Sequence, residues 1–469
     1  MKASQLLVRM STCIVLCVAA GSAAQQVKPN QNTMQMGTMK MGQHTANGDK
    51  QNAAQQPSHT HMEDMHKAAL GMNAGMYAKT FVDEIGMHAD SGTSAQPNST
   101  PIPMLMWTGS DWRFMFHANA FIVDTQQSSP RGGDKLFSAN WFMTMAQHQW
   151  GPGELTVRAM LSLEPATITS ERYPLLFQQG ETAYGVPIAD GQHPHDLFME
   201  LAAIYDLPLG EHRLLTLYAA PEGDPAIGPT AFPHRASAFE NPLAALGHHQ
   251  EDSTHIANDV ITAGVTDRMV RLEASGFHGR EPDEHRWNID QGRVDSWATR
   301  LTVQPGQNWS GQFSYARIAS PEALNPPEDQ ARTTASIMYN KPFTGGNWAS
   351  SAIWGRTRSI PDSHKENSYL FESTVNFDRV NYAWTRLENA GRTTELLIGG
   401  HPPPSGFTEE PLTHVQAYTF GYDRELPLLP HVSSAIGAQV TAYGVGRPLQ
   451  PVYGTDPLGV AIFLRLRPR

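Results

Sequence analysis

The sequence predicts an all-β fold, an antiparallel transmembrane β-barrel of about 16 strands, and three observations carry that expectation. The chain begins with an export leader. Its last three-quarters alternate apolar and polar residues with period two. The connections between the alternating segments are short and long in strict turn.

The leader sets the compartment. Lys2 and Arg9 supply a positive start, Ser11 to Ala20 an apolar run, and Ser22-Ala23-Ala24 a small-residue cleavage site before Gln25. Residues 1–24 therefore read as a secretory signal peptide, too short in its apolar part to span a membrane. Both cysteines, Cys13 and Cys17, fall inside it, so the mature chain is expected to have neither disulfide nor thiolate site. The formal charge of −11 argues against a nucleic-acid partner. No later stretch reaches the 18 or so apolar residues of a spanning helix.

Residues 25–103 are rich in Gln, Asn, Thr, Gly, Met and His and poor in aromatic and β-branched side chains. Such a segment has little apolar area to offset its ordering entropy, and it reads as a mostly disordered tail on the periplasmic side. Short helices are expected near Glu63–Ala69 and Ala78–Met87.

Residues 104–469 carry the barrel pattern. Trp112, Phe114, Phe116, Ala118, Ala120 and Ile122 fall on one face, with Arg113, His117 and Asn119 on the other. Leu155, Val157, Ala159 and Leu161 oppose Thr156, Arg158 and Ser162, and Trp297, Thr299, Leu301 and Val303 oppose Arg300 and Thr302. Apolar-out and polar-in alternation over about 10 residues is the membrane-barrel signature. Tight links are expected at 151–153, 207–211, 266–268, 305–307, 341–346, 377–380 and 425–431. Longer ones fall at 124–135, 165–194, 221–256, 278–293, 319–329, 358–365, 389–411 and 446–457. Seven turns and eight loops give sixteen strands with both ends on the turn side, an even number as closure requires. A secreted sandwich or propeller gives no reason for this asymmetry. The last strand, Leu458–Leu466, has Phe463 near its end but runs on to Arg465 and Arg467 instead of stopping at an aromatic residue.

Two groups of residues suggest chemistry. In the tail, Met34, Met36, Met39, Met41, His59, His61, Met62, Met65 and His66 concentrate thioether and imidazole ligands where no core needs filling. Thioethers suit Cu(I), and imidazole extends the range to Cu(II) and Zn(II). In the long loops stand His193 and His195, His234, His248 and His249, His255, and then His278 and His285, each group with acids nearby. They come from three consecutive loops whose flanking strands are barrel neighbours. They suit a metal or catalytic site, and they equally suit the hydrogen-bond network of loops folded into a plug.

A Met/His-rich leader before an outer-membrane barrel resembles the copper-resistance B outer-membrane proteins. That likeness implies copper, as Cu(I) or Cu(II), as cofactor, metal ions and periplasmic copper proteins as partners, and lipid around a barrel in the outer membrane of a Gram-negative bacterium. The strings DGQHPHD, FPHRAS, DSTHIAND and GFHGREPDEHRW look instead like an uncharacterised family of exported bacterial outer-membrane barrels. Ser253 to Asn258 resembles the His-x-Ser-Asn pattern of outer-membrane phospholipases, with Ala257 where the serine would stand.

The inward phase carries Arg158, Glu164, Glu200, Arg271, Glu273, Arg300 and Glu372, either to line an aqueous channel or to pair across a filled lumen. The leading expectation is thus a barrel handling copper or another transition metal. The alternatives are an outer-membrane hydrolase using the loop clusters, or a general porin.

Overall fold

The computed structural model describes residues 77–253, 257–323, 326–360, 363–393, 397 and 411–469. The expected leader and the expected tail ligands up to His66 lie outside these residues, as do the first expected helix and His255.

The strands follow from the alternation. They are β1 (Leu105–Gly109), β2 (Trp112–Gln127), β3 (Asp134–Trp150), β4 (Gly153–Leu161), β5 (Tyr173–Ala183), β6 (Val186–Gln192) and β7 (Phe198–Gly210). Next come β8 (Arg213–Glu222), β9 (Asn258–Asp267), β10 (Val270–His278), β11 (Ser296–Gly306), β12 (Trp309–Ile318) and β13 (Asp329–Phe343). The last are β14 (Gly346–Ile360), β15 (Lys365–Phe377), β16 (Asn381–Thr393), β17 (Pro411–Leu429), β18 (Val432–Gly444) and β19 (Leu458–Pro468).

Strands β2 to β4 and β7 to β19 make a closed antiparallel wall of sixteen. Its seam is β19 on β2, from Gly459↔Gln127 to Leu466↔Ala120. Because β19 stops there, the lower half of β2 would be an open edge. Strand β1 covers it, pairing Leu105 with Phe116 through Gly109 with Trp112. Closure leaves no unpaired ladder to face lipid. Short links and long loops alternate in the expected order, with strands running further into several of them: Glu425 and Leu426 pair with Ala435 and Ser434, and the loop expected at 165–194 carries the β5–β6 hairpin.

The outer face is apolar. Leu217, Ile261, Leu272, Phe313, Ile337 and Phe371 are exposed there, although they would be core residues elsewhere. Trp150, Trp309, Phe343 and Phe377 sit beside the tight turns. An apolar band with aromatics at its rim is the surface of a barrel built to sit in lipid. No helix among the described residues is long and apolar enough to cross a membrane.

Inside, the lumen is filled from both ends. From the turn side enters the segment 77–103. It carries helix α1 (Phe81–Met87), started by a capping box in which Thr80 and Asp83 satisfy each other's backbone N–H. Phe81 and Ile85 rest on lumen-facing Leu214. The Arg158 guanidinium then donates to three successive points of this segment, at His88 O (3.0 Å), Asp90 O (2.6 Å) and Gly92 O (2.5 Å). The chain returns downward to Ser99, whose N–H donates to Gln307 O at 2.9 Å and whose hydroxyl donates to Asn340 O at 2.8 Å. The last part of the expected tail is a plug, and its polar composition suits it to a polar interior.

From the other side descends the β8–β9 loop. Gly228 N–H reaches Ser314 on β12 (2.9 Å), Arg235 reaches Glu372 on β15 (2.9 Å), and Leu243 O accepts from Arg386 on β16 (2.8 Å). Its Glu240 is gripped by Arg465 (3.1 Å) and Arg467. Those two arginines are the basic residues with which the chain runs on past Phe463. Loop and plug meet at Thr230 Oγ1–Asp90 Oδ2 (3.0 Å) and at Gln96, which donates to His234 O (3.0 Å).

The inward charges pair instead of lining a channel. Glu273 sits between Arg271 (3.0 Å) and Arg300 (2.8 Å), and Glu200 lies 2.6 Å from Arg158. Glu164 differs from expectation. It lies beyond the end of β4, on a single 3₁₀ turn, and accepts from Asn140 N–H and from His195.

Candidate functional site

Three loops converge above this filling. The β4–β7 loop folds back as the β5–β6 hairpin, which presents Glu181 and then His193 just past its end. The β8–β9 loop ends in the single turn α2 (His248–Glu251), so His248 and His249 project together. The β10–β11 loop supplies Glu281 and Arg286. Gly180 makes the close approach workable: it has φ +139°, and a Cβ there would come within 3.0 Å of the His249 ring.

His193, His248 and His249 each offer one ring nitrogen, all within 4.8 Å of one another. His193 Nε2 is 3.3 Å from His249 Nε2 and 3.0 Å from Glu181 Oε1, and His249 Nδ1 lies 3.9 Å from Glu281. The Nδ1 atoms of His193 and His248 sit on backbone carbonyls, Pro194 O at 2.9 Å and Ala245 O at 2.7 Å. Each ring is thereby held in the tautomer that leaves Nε2 with its lone pair, as outer hydrogen bonds do around bound metals. His248 Nε2 is buried and has no hydrogen-bond partner.

Burial, reinforced for His193 by Arg286 and for His248 by His249, pushes both histidines well below the usual range and keeps them neutral. Burial raises the Glu181 carboxyl to about 7, with Arg286 opposing. A lone pair facing a carboxyl oxygen at 3.0 Å needs a proton or a cation between them. The donor set of two or three imidazoles and a carboxylate fits Zn(II), Cu(II) and similar borderline ions.

The other loop histidines stand apart. His195 is turned to Glu164 (2.7 Å). His278 is bound to Asp295 (3.1 Å) at the rim, and His285 is exposed. His234 lies deeper, with its Nε2 3.3 Å from Met160 Sδ. Glu181 carries no signal in the sequence, because QQGETAYG has no His beside its acid; Arg286 follows His285 directly, but only the fold brings it to Glu181.

No protein-family model matches the chain. Among curated proteins, the uridine diphosphate glucose pyrophosphatase NUDT22 of Bos taurus is 26% identical over 150 residues, 30% of this chain and 50% of that one. The Mus musculus protein of the same name is 27% identical over 150 residues, 47% of its length. The chain thus spans about half the length of the relatives it matches. Similar solved structures include OmpT of Vibrio cholerae, with TM-score 0.43 and 5% identity over 77% of this chain and 99% of that one. An anion-selective porin from Comamonas acidovorans has TM-score 0.43 and 11% identity over 76% and 99%. OprB of Pseudomonas putida has TM-score 0.45 and 7% identity over 76% and 94%. These neighbours are barrels, and what the wall, turns and outer face establish in their own right is a sixteen-stranded transmembrane barrel with a filled lumen.

Proposed function

We propose that the chain is a porin-type conduit of the Gram-negative outer membrane, closed at rest by its own N-terminal segment. The observation that carries this reading is the plug. A sixteen-stranded wall is wide enough for an aqueous passage, and here residues 77–103 and the β8–β9 loop occupy it through polar contacts that water can replace. In planar bilayers the full chain should conduct rarely, whereas a chain lacking residues 77–103, whose β8–β9 loop loses its contacts with Asp90 and Gln96, should open more often. Equal conductance in the two would refute the reading.

A second reading, transition-metal handling, is favoured by the three-histidine centre. Under it, the centre takes an ion beneath the loops, and Met34 to His66 supply soft ligands, with copper and periplasmic copper proteins as the expected cargo and partners. Calorimetric titration of purified protein with Zn(II) and Cu(II) tests it. His193→Ala and His248→Ala should each remove one bound Zn(II), and unchanged binding in both would overturn it.

A further inference from the structure

One part of the lumen wall is built unlike the rest. Elsewhere the inward apolar residues are mainly Ala, Ile, Leu, Phe and Tyr. Toward the turn side of β2, β3 and β4 they are methionines: of the ten methionines among the described residues, seven gather in this one cluster.

The register sets them in layers. His117 on β2 stands directly across from Met143 on β3, and Met143 directly across from Met160 on β4. All three are buried and face the lumen. Directly opposed residues in an antiparallel pair lie about 5 Å apart and share a face. One strand layer therefore presents an imidazole and two thioethers in a row. The next layer toward the turns adds Met115 opposite Met145. The β8–β9 loop brings down His234, whose Nε2 lies 3.3 Å from Met160 Sδ and whose ring centroid is 5.6 Å from that of His117. Trp141 closes one side, with its ring 4.9 Å from His117 and 4.4 Å from His234.

Methionine often fills irregular gaps, and that alone would explain the thioethers. It does not explain His117. Its Nε2 is buried without a hydrogen-bond partner, among sulfur atoms and aromatic rings. An unsatisfied buried polar atom is costly and calls for a reason. Glu200, opposite Met160, is turned to Arg158, Tyr218 and Gly92 through its Oε1 and makes no hydrogen bond to the His117 ring.

We propose that His117, Met143, Met160 and His234 form a binding site inside the barrel for a soft monovalent cation of the Cu(I) or Ag(I) class. Two imidazoles and two thioethers are neutral ligands of the kind such an ion prefers. A single positive charge can be held there without an anion, whereas a divalent ion next to Arg158 could not. The site is distinct from the three-histidine centre and does not rest on the conduit reading.

The test uses the full mature chain in detergent, titrated with Ag(I). The Met- and His-rich residues 25–100 contain no tryptophan, so ions held there leave tryptophan emission unchanged, while an ion beside Trp141 quenches it. Wild type should show saturable quenching and one more bound Ag(I) per chain than Met143→Leu/Met160→Leu, a change of similar volume. His234→Ala, on a loop and not in the wall, should lose the same ion if the wall variant fails to fold. Zn(II) should not quench. His248→Ala should leave the Ag(I) result intact, so failure of the metal-handling reading and failure of this site are separable. Equal Ag(I) stoichiometry and equal quenching in wild type and both variants would reduce the cluster to packing.

Discussion

Arg158 is the residue on which closure of the lumen turns. Its side chain is buried in the wall, and it donates to the carbonyls of His88, Asp90 and Gly92 at 2.5–3.0 Å while pairing with Glu200 at 2.6 Å. Removing Arg158 alone would leave Glu200 as an unpaired buried carboxylate, which costs about 3–5 kcal/mol and would damage the wall as well as the plug. The informative perturbation is therefore Arg158→Met with Glu200→Gln. It deletes both charges, while the amide oxygen that replaces the carboxylate still accepts from the Gly92 N–H and the Tyr218 hydroxyl. Hydrogen bonds from a charged donor contribute about 1.5–3 kcal/mol each. Three of them give a gross loss of roughly 4–9 kcal/mol, and replacement by water and non-additivity leave about 3 kcal/mol. That is roughly a 100-fold rise in the population with the plug released. The assay is single-channel recording in planar bilayers, with the heat-modifiable gel mobility of the folded barrel as control. An open-time fraction within about threefold of wild type, in a variant that still migrates as a folded barrel, would refute the latch; the plug would then be held by something other than Arg158.

Other perturbations follow from the same contacts. Gly92→Ala should also raise the open fraction, because Gly92 has φ +60° and a Cβ there would meet Asp224 Cβ at 2.7 Å; bilayer recordings showing no change would exclude this tight fit. Glu372→Gln breaks the bridge from the loop's Arg235 (2.9 Å) to the wall's Arg386 (2.7 Å). It should lower the temperature at which the folded gel form is lost, at a cost of about 3 kcal/mol, and an unaltered transition would show the bridge to be idle. Closure should depend on pH through the plug carboxyls. Burial raises Asp90 to about 6, and burial together with Asp90 raises Glu84 well above its usual range. Both folded values are raised, so the stability they lend is present below the ordinary carboxylate range and is lost as pH rises, for Asp90 through about 6. Open probability should therefore climb from pH 5 to pH 8, and Asp90→Asn should flatten the climb; an equally steep profile in that variant would contradict the assignment.

The wall was legible in the sequence because each strand carries its own evidence. Trp112 to Ile122 alternate locally, and Gly151-Pro152-Gly153 marks its turn without help from distant residues. The plug was not legible, for a physical reason. A segment such as His88 to Thr100 reads as disordered when judged by apolar area. Its ordering is instead offset by hydrogen bonds from Arg158, Arg300 and Asn340, whose positions are far away in sequence. The loop histidines were legible as ligands but not as a set. Which of them meet depends on the path of loops more than 30 residues long, and Glu181 enters only because the β5–β6 hairpin turns it toward His193.

The distribution of apolar contact argues that the two fillings can leave while the wall stays. Each wall charge that touches an insert has a second partner on the wall or sits at its edge. Arg300 keeps Glu273 when it releases Thr93 and Gly228, Glu372 keeps Arg386 when it releases Arg235, and Arg465 keeps Asp423 (3.2 Å) when it releases Glu240. The ladder from β2 round to β19 is complete without either insert. By contrast, the plug's own large apolar anchors are four, Phe81 and Ile85 against Ala95 and Leu214, and Met87 and Ile102 beside Ala78 and Ala89. Burying four such side chains contributes about 6–12 kcal/mol, the same order as the gross value of the Arg158 latch. Neither contribution alone should hold the segment against the entropy of releasing some twenty-five residues. The lumen is therefore closed by a sum of exchangeable contacts, and loss of the charged part should move the plug before it disturbs the barrel.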